Sequence, residues 1–132
     1  MPEFLKAGAY YNSKMKNIRP QRFRQKCIVY QILKSEGQRL FAQGEPERAI
    51  HKYEEGLCVW RYYICHNPNW EKDGIDDDEI EAVNECGSNS KEAGLINDMK
   101  LSAYLNIAVC LLKNSSYQVG VLACNEALKV DS

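Results

Sequence analysis

LINDMKLSAYLNIAVCLLKNSSYQVGVLACNEALK, residues 95–129, decides the fold class. Leu101, Tyr104, Leu105, Ala108, Leu111 and Leu112 recur at the i, i+3, i+4 spacing of one helical face. Asn114-Ser115-Ser116 breaks the run, and Ser116 is placed to cap the next helix. Val119, Val121, Leu122, Cys124, Ala127 and Leu128 then mark that second apolar helix. So short a polar link makes the two helices antiparallel neighbours.

The same pattern stands earlier in the chain. Ile28, Gln31, Ile32, Gly37, Leu40 and Phe41 fall near one helical face. Gly44-Glu45-Pro46 interrupts it, a glycine past one helix and a proline opening the next. Ala49, Ile50, Tyr53, Leu57 and Trp60 continue on the second helix. Small residues at Gly37, Ala49 and Gly56 predict a close approach of the pair, with Leu40 and Tyr53 filling the space between. Laying Gly37 over Ala108 puts Leu40 on Leu111, Tyr53 on Cys124, Gly56 on Ala127 and Leu57 on Leu128. The fold class is therefore predicted as all-α, antiparallel helix pairs in two repeats with a long inserted loop. Residues 1–20 form a basic N-terminal segment and 21–132 the helical domain. Within it lie a first repeat at about 30–66, an acidic loop at about 67–94 and a second repeat at about 95–132.

Between the repeats, Pro68, Gly74 and Gly87 punctuate a stretch rich in Asp and Glu. Asp-Gly-Ile-Asp-Asp-Asp-Glu, residues 73–79, has the wrong order for a calcium loop, so a solvated loop is expected. Before the first repeat, Lys14, Lys16, Arg19, Arg22 and Arg24 form a basic lead-in that Pro20 interrupts. It reads either as a solvated approach to the first helix or as an arm for an acidic partner.

Lys34-Ser-Glu-Gly37-Gln38-Arg-Leu40-Phe, Gly44, Glu47-Arg48-Ala49-Ile50 and Lys52-Tyr53-Glu-Glu-Gly56-Leu57 together resemble a tetratricopeptide repeat. Leu105-Asn106-Ile-Ala108-Val-Cys110-Leu-Leu-Lys113, Tyr117 and Ala123-Cys124-Asn125-Glu126-Ala127-Leu128-Lys129-Val-Asp131 resemble a second. The flavour is that of the large immunophilins and immunophilin-like co-chaperones. That resemblance implies a right-handed superhelical array whose concave face binds extended peptides. It also implies a chaperone adaptor that grips the acidic C-terminal tail of heat-shock protein 90 or 70. The family's clamp surrounds a terminal carboxylate with cations and amides. By that match Lys34 is its first lysine, Gln38 stands where asparagine is usual, and Asn106 is its third-helix asparagine. The lysine and arginine of the family's fifth helix have no counterpart in these 132 residues.

The implied function is a protein–protein interaction module, an incomplete chaperone adaptor that would grip such a tail once a third repeat is present. Two alternatives stay open. One is a repeat scaffold that self-associates or binds an unrelated helix or peptide. The other is the repeat region of a prolyl isomerase whose catalytic domain lies elsewhere. Val121, Leu122, Ala127 and Leu128 leave the last helix uncovered, so a fragment is expected, with homodimerisation through that helix as one way to cover it.

Composition bounds the rest. Hydrophobic residues make up 45% and charged residues 27%, enough apolar material for a core. A net charge of -1 argues for neither nucleic acid nor membrane as partner. The six cysteines form no C-x-x-C pair and sit largely among apolar residues, which predicts buried thiols in a reducing cytoplasm. Cys65-His66 supplies too few ligands for a metal site. His51 and His66 are the only histidines, and no nucleophile, phosphate-loop or zinc-protease signature occurs, so neither an enzyme nor a cofactor is expected.

Overall fold

A computed structural model describes residues 15–67, 69–74, 78, 80–113 and 117–131. Its elements are α1 (Phe23–Ala42), α2 (Pro46–Leu57), β1 (Arg61–Cys65), α3 (Trp70–Asp73), β2 (Ile80–Asn84), α4 (Ser90–Lys113) and α5 (Tyr117–Asp131). The chain is mostly helical, as expected, and α1–α2 and α4–α5 are the two helix pairs.

α1 ends by backbone chemistry rather than by a side-chain cap. Gly44 takes φ +79°, and its N–H donates to the Phe41 carbonyl while that of Glu45 donates to Leu40. These two bonds satisfy carbonyls that the helix leaves orphaned, a Schellman ending, and Pro46 opens α2 directly. Gly37 and Gly56 then let α1 and α2 close on each other. A Cβ on Gly37 would lie 2.6 Å from Tyr53 Cε1, and one on Gly56 would lie 3.5 Å from the Tyr30 ring. Contacts of 37 with 53 and of 30 with 56 fix the pair as antiparallel. In the second pair, Gly120 packs on Leu112 and the Ala108 carbonyl, which fixes the same arrangement.

α2 packs against both α1 and α4, and so lies between the two repeats. Tyr30, Leu40, Ala49, Tyr53, Leu57, Ile96, Ala103, Tyr104, Ile107 and Cys110 form the continuous core. α4 has the length and apolarity of a bilayer-crossing helix. Its buried Ile96, Ala103, Ile107 and Cys110 instead make it the central core helix of this fold.

Several expectations need correction. The stretch read as one loop contains a short helix and strand β2, and α4 begins at Ser90, earlier than the expected repeat start. α2 stops at Leu57, and the residues expected to extend it form β1, paired antiparallel with β2 from Arg61↔Asn84 to Cys65↔Ile80. Tyr62 and Tyr63 are buried, and aromatic residues suit a half-buried strand. Trp60 is buried as expected, but in the turn before β1 rather than on α2. On α1 the buried positions are Lys26, Tyr30, Leu33, Gly37 and Leu40, so Ile28 and Ile32 face away from the core. Leu105 and Leu112 of α4 are likewise exposed.

Cys58 and Cys110 are buried free thiols, and burial pushes the Cys110 thiol up to about 11, so it behaves as a small hydrophobe. Cys86 is exposed, against the expectation. His66 faces Glu81 across the hairpin at 3.1 Å, and among the described residues no group of three metal-ligating side chains occurs. Asp76, Asp77, Lys14 and the Asn114-Ser115-Ser116 turn lie outside the described residues.

Candidate peptide-binding face

Side-chain contacts set the relation of α1 to α4. Cys27 lies near Glu92, whose charge adds to burial in pushing the thiol up. The Tyr30 hydroxyl donates to the Met99 carbonyl at 2.8 Å. Burial also pushes that phenol up, and a hydrogen bond with Ser102 offsets this in part. Tyr53, which covers Gly37, is pushed up to about 12 by burial, with the Cys110 thiol and Tyr30 adding to it. With 27 near 92 and 30 beside 99 and 102, contacts advance in the same direction along both helices. α1 and α4 are therefore parallel, with α2 packed against both.

This register locates the residues singled out in the sequence. Lys34 lies one helical turn past Tyr30, and Asn106 one turn past Ser102. They stand at the same level on parallel helices, and both are half-buried. Gln38 is a further turn along α1 and exposed. Lys113 is not among the residues matched to the family's clamp. It lies seven residues past Asn106, hence on the same side of α4, and is exposed. At 1.5 Å per residue its Cα is ~10 Å beyond that of Asn106 along the helix. The i, i+7 spacing was the signal that would have found it.

The segment leaving the hairpin ties the first turn of α1 to the middle of α4. The Lys26 ammonium of α1 pairs with the Glu85 carboxylate. The Lys100 ammonium of α4 donates to Asn84 Oδ1 and, at 2.7 Å, to the Glu85 carbonyl. Burial pulls the Lys100 ammonium down, and the charge of Glu85 partly restores it. Glu85 N–H also donates to the Trp60 carbonyl, closing the hairpin base. The Trp60 indole N–H finds no hydrogen-bond acceptor among the described residues. The Trp60 side chain borders a hollow of about 380 Å³ with Arg19, Lys26 and Glu85.

At the same end of the sheet, Arg61, which pairs with Asn84, donates to the Tyr104 hydroxyl and, at 2.9 Å, to Glu126, joining β1 to α4 and α5. α4 begins with a local cap. Glu92 N–H donates to Asn89 Oδ1 at 2.9 Å, while Ser88 N–H donates to the Glu92 carboxylate at 3.1 Å. That helix start thus satisfies part of its own orphan donor set locally.

No protein-family model matches this chain. No solved structure matches it. Among curated proteins it is 24% identical over 101 residues to mouse peptidyl-prolyl cis-trans isomerase FKBP4, covering 76% of this chain and 17% of that protein. It is 25% identical to human peptidyl-prolyl cis-trans isomerase FKBP4 over the same length and shares. The chain therefore spans about one sixth of the length of the relatives it matches, and this weak likeness suggests the immunophilin-like co-chaperone group.

Proposed function

We propose that this chain is a peptide-binding helical-repeat segment of the tetratricopeptide kind that acts by binding rather than by catalysis. Its partner is an acidic protein tail ending in a free carboxylate, of the heat-shock protein 90/70 type, met in the cytoplasm. Lys34 supplies a cation to that carboxylate, and Gln38 and Asn106 supply amide donors. The observation that carries the reading is the placement of Lys34 and Asn106 at one level on parallel helices, each a turn beyond the Tyr30 contact. The similarity to FKBP4 supports it at the level of a protein-interaction role.

Magnitude limits what these residues do alone. One exposed ion pair contributes only ~0–1 kcal/mol. Two amides donating to a carboxylate add at most ~1.5–3 kcal/mol each, less where water competes as at the exposed Gln38. The 132-residue chain should therefore bind an Asp/Glu-rich C-terminal peptide only weakly. A chain extended by a helix pair bearing a lysine and an arginine four apart should bind it well. Isothermal calorimetry with the free-acid and C-amidated peptides tests this. Tight binding by the 132-residue chain, or equal affinity for the amidated peptide, would overturn the proposal.

A further inference from the structure

α2 packs closely on both α1 and α4, while α1 and α4 touch each other sparsely. Two parallel walls with one shared backing leave a furrow between them, on the side away from α2. Arg24, Cys27, Gln31, Lys34 and Gln38 recur at three- and four-residue steps, so they share one side of α1. Lys91, Leu95, Asp98, Ser102 and Asn106 do the same on α4. All ten are exposed or half-buried, and the Tyr30–Ser102 contact sets the two sides next to each other.

Charge along this furrow is ordered. Arg24 stands ~15 Å before Lys34 along α1, and Lys91 stands ~22 Å before Asn106 along α4. Both cations are exposed, and neither makes an ion pair among the described residues. The basic lead-in thus divides by role, since Arg19 stacks 4.3 Å from the centre of the Tyr62 ring while Arg24 faces the furrow. Glu92 lies at the same end, but its carboxylate is engaged by the Ser88 N–H. Between the two cationic levels stands Asp98, exposed and ~12 Å before Asn106.

We propose that Arg24 and Lys91 form a second subsite of the peptide-binding face, which takes an acidic side chain upstream of the tail's carboxylate, while Asp98 excludes acid from the positions between. The inference rests on the peptide-binding reading and names the tail that the face selects. An extended chain covers ~3.3–3.6 Å per residue, so ~15–22 Å corresponds to about four to seven residues and ~12 Å to about three or four. The fitting tail is therefore not acidic throughout. It has a free C-terminal carboxylate, neutral or basic residues about three positions before it, and Asp or Glu about six positions before it.

Two free-acid peptides of identical composition separate position from net charge. One carries two glutamates six and seven positions before its C-terminal residue, and the other carries them three and four positions before. Titration of the 132-residue chain, followed by amide chemical shifts, suits weak binding and maps the contacts. At low salt the first peptide should bind about two- to five-fold more tightly. Its shifts should include Arg24 and Lys91 as well as Lys34 and Asn106. Arg24→Gln/Lys91→Gln should abolish the preference, and Asp98→Asn should improve binding of the second peptide only. C-amidated versions of both peptides test the underlying reading separately. If amidation weakens both peptides but the two bind equally, the carboxylate site stands and the second subsite is wrong. If amidation changes nothing, the peptide-binding reading fails and the subsite with it. A preference that survives Arg24→Gln/Lys91→Gln would also overturn the proposal.

Discussion

The Tyr53 ring lies so close over Gly37 that a methyl group there would sit 2.6 Å from Cε1. Neither partner has an easy way out, since Tyr53 is buried and packed against the shared core. The close approach of α1 and α2 rests on that absent side chain.

Gly37→Ala decides between two opposing effects. Alanine gains ~1 kcal/mol in helix propensity over glycine. Overpacking a buried contact costs ~1–3 kcal/mol. At 2.6 Å from a rigid ring the clash wins, and a net loss of ~1–2 kcal/mol in urea unfolding is expected. A more stable G37A variant would show that the helices sit farther apart.

Tyr30→Phe removes the hydroxyl that bonds the Met99 carbonyl and meets Ser102, and changes nothing else in shape. A buried hydrogen bond of this kind contributes ~0.5–1.5 kcal/mol. A loss in that range is expected by chemical denaturation, with faster amide exchange where α1 meets α4. Unchanged exchange there would mean that the Tyr30 bond does not set the helix spacing.

The latch at the hairpin exit should show coupling. Lys26→Met strands the half-buried Glu85 carboxylate, and Glu85→Gln weakens the same pair from the other side. A double-mutant cycle should return a coupling of ~0.5–3 kcal/mol. Strict additivity would place the pair among surface charges of little consequence.

Glu126 predicts an acid limb. Burial pushes its carboxyl up, but the bonds from Arg61 and Lys129 outweigh this and hold it below the ordinary carboxylate value of 4.5. A folded pKa below the unfolded one gives stability that is present above the unfolded value and lost as pH falls through the folded value. Glu126→Gln should therefore flatten the loss of stability below about pH 4.5 and leave its shape near neutrality unchanged. An acid limb of unaltered steepness in thermal melts would count against the Arg61–Glu126 pair.

Lys113 tests the breadth of the binding face. In the chain extended by a further helix pair, Lys113→Glu should weaken binding of an acidic peptide, more so as salt falls, while Lys129→Glu on α5 should not. Equal effects would reduce the role of Lys113 to general charge.

Local chemistry along the chain was enough for the helical class, the two helix pairs and the sharp turn between α1 and α2. Gly44-Glu45-Pro46 and the spaced small residues act through backbone sterics and local hydrogen bonds, which need no distant partner. Lys34, Gln38 and Asn106 were placed on helices in the same way, because a motif match and a 3.6-residue period are local facts. Which apolar stripe of α1 goes inward was settled only by packing. Ile28 and Ile32 share the helical spacing of core residues, yet Tyr30, Leu33 and Gly37 face α2. The hairpin was equally hidden. Arg61–Cys65 and Ile80–Asn84 pair across a polar stretch. Their position is held by Lys26, Lys100 and Arg61, charged residues that read as solvated until distant acceptors surround them. A buried cation is stable only when folding delivers its partners, and no local pattern announces where those partners will be.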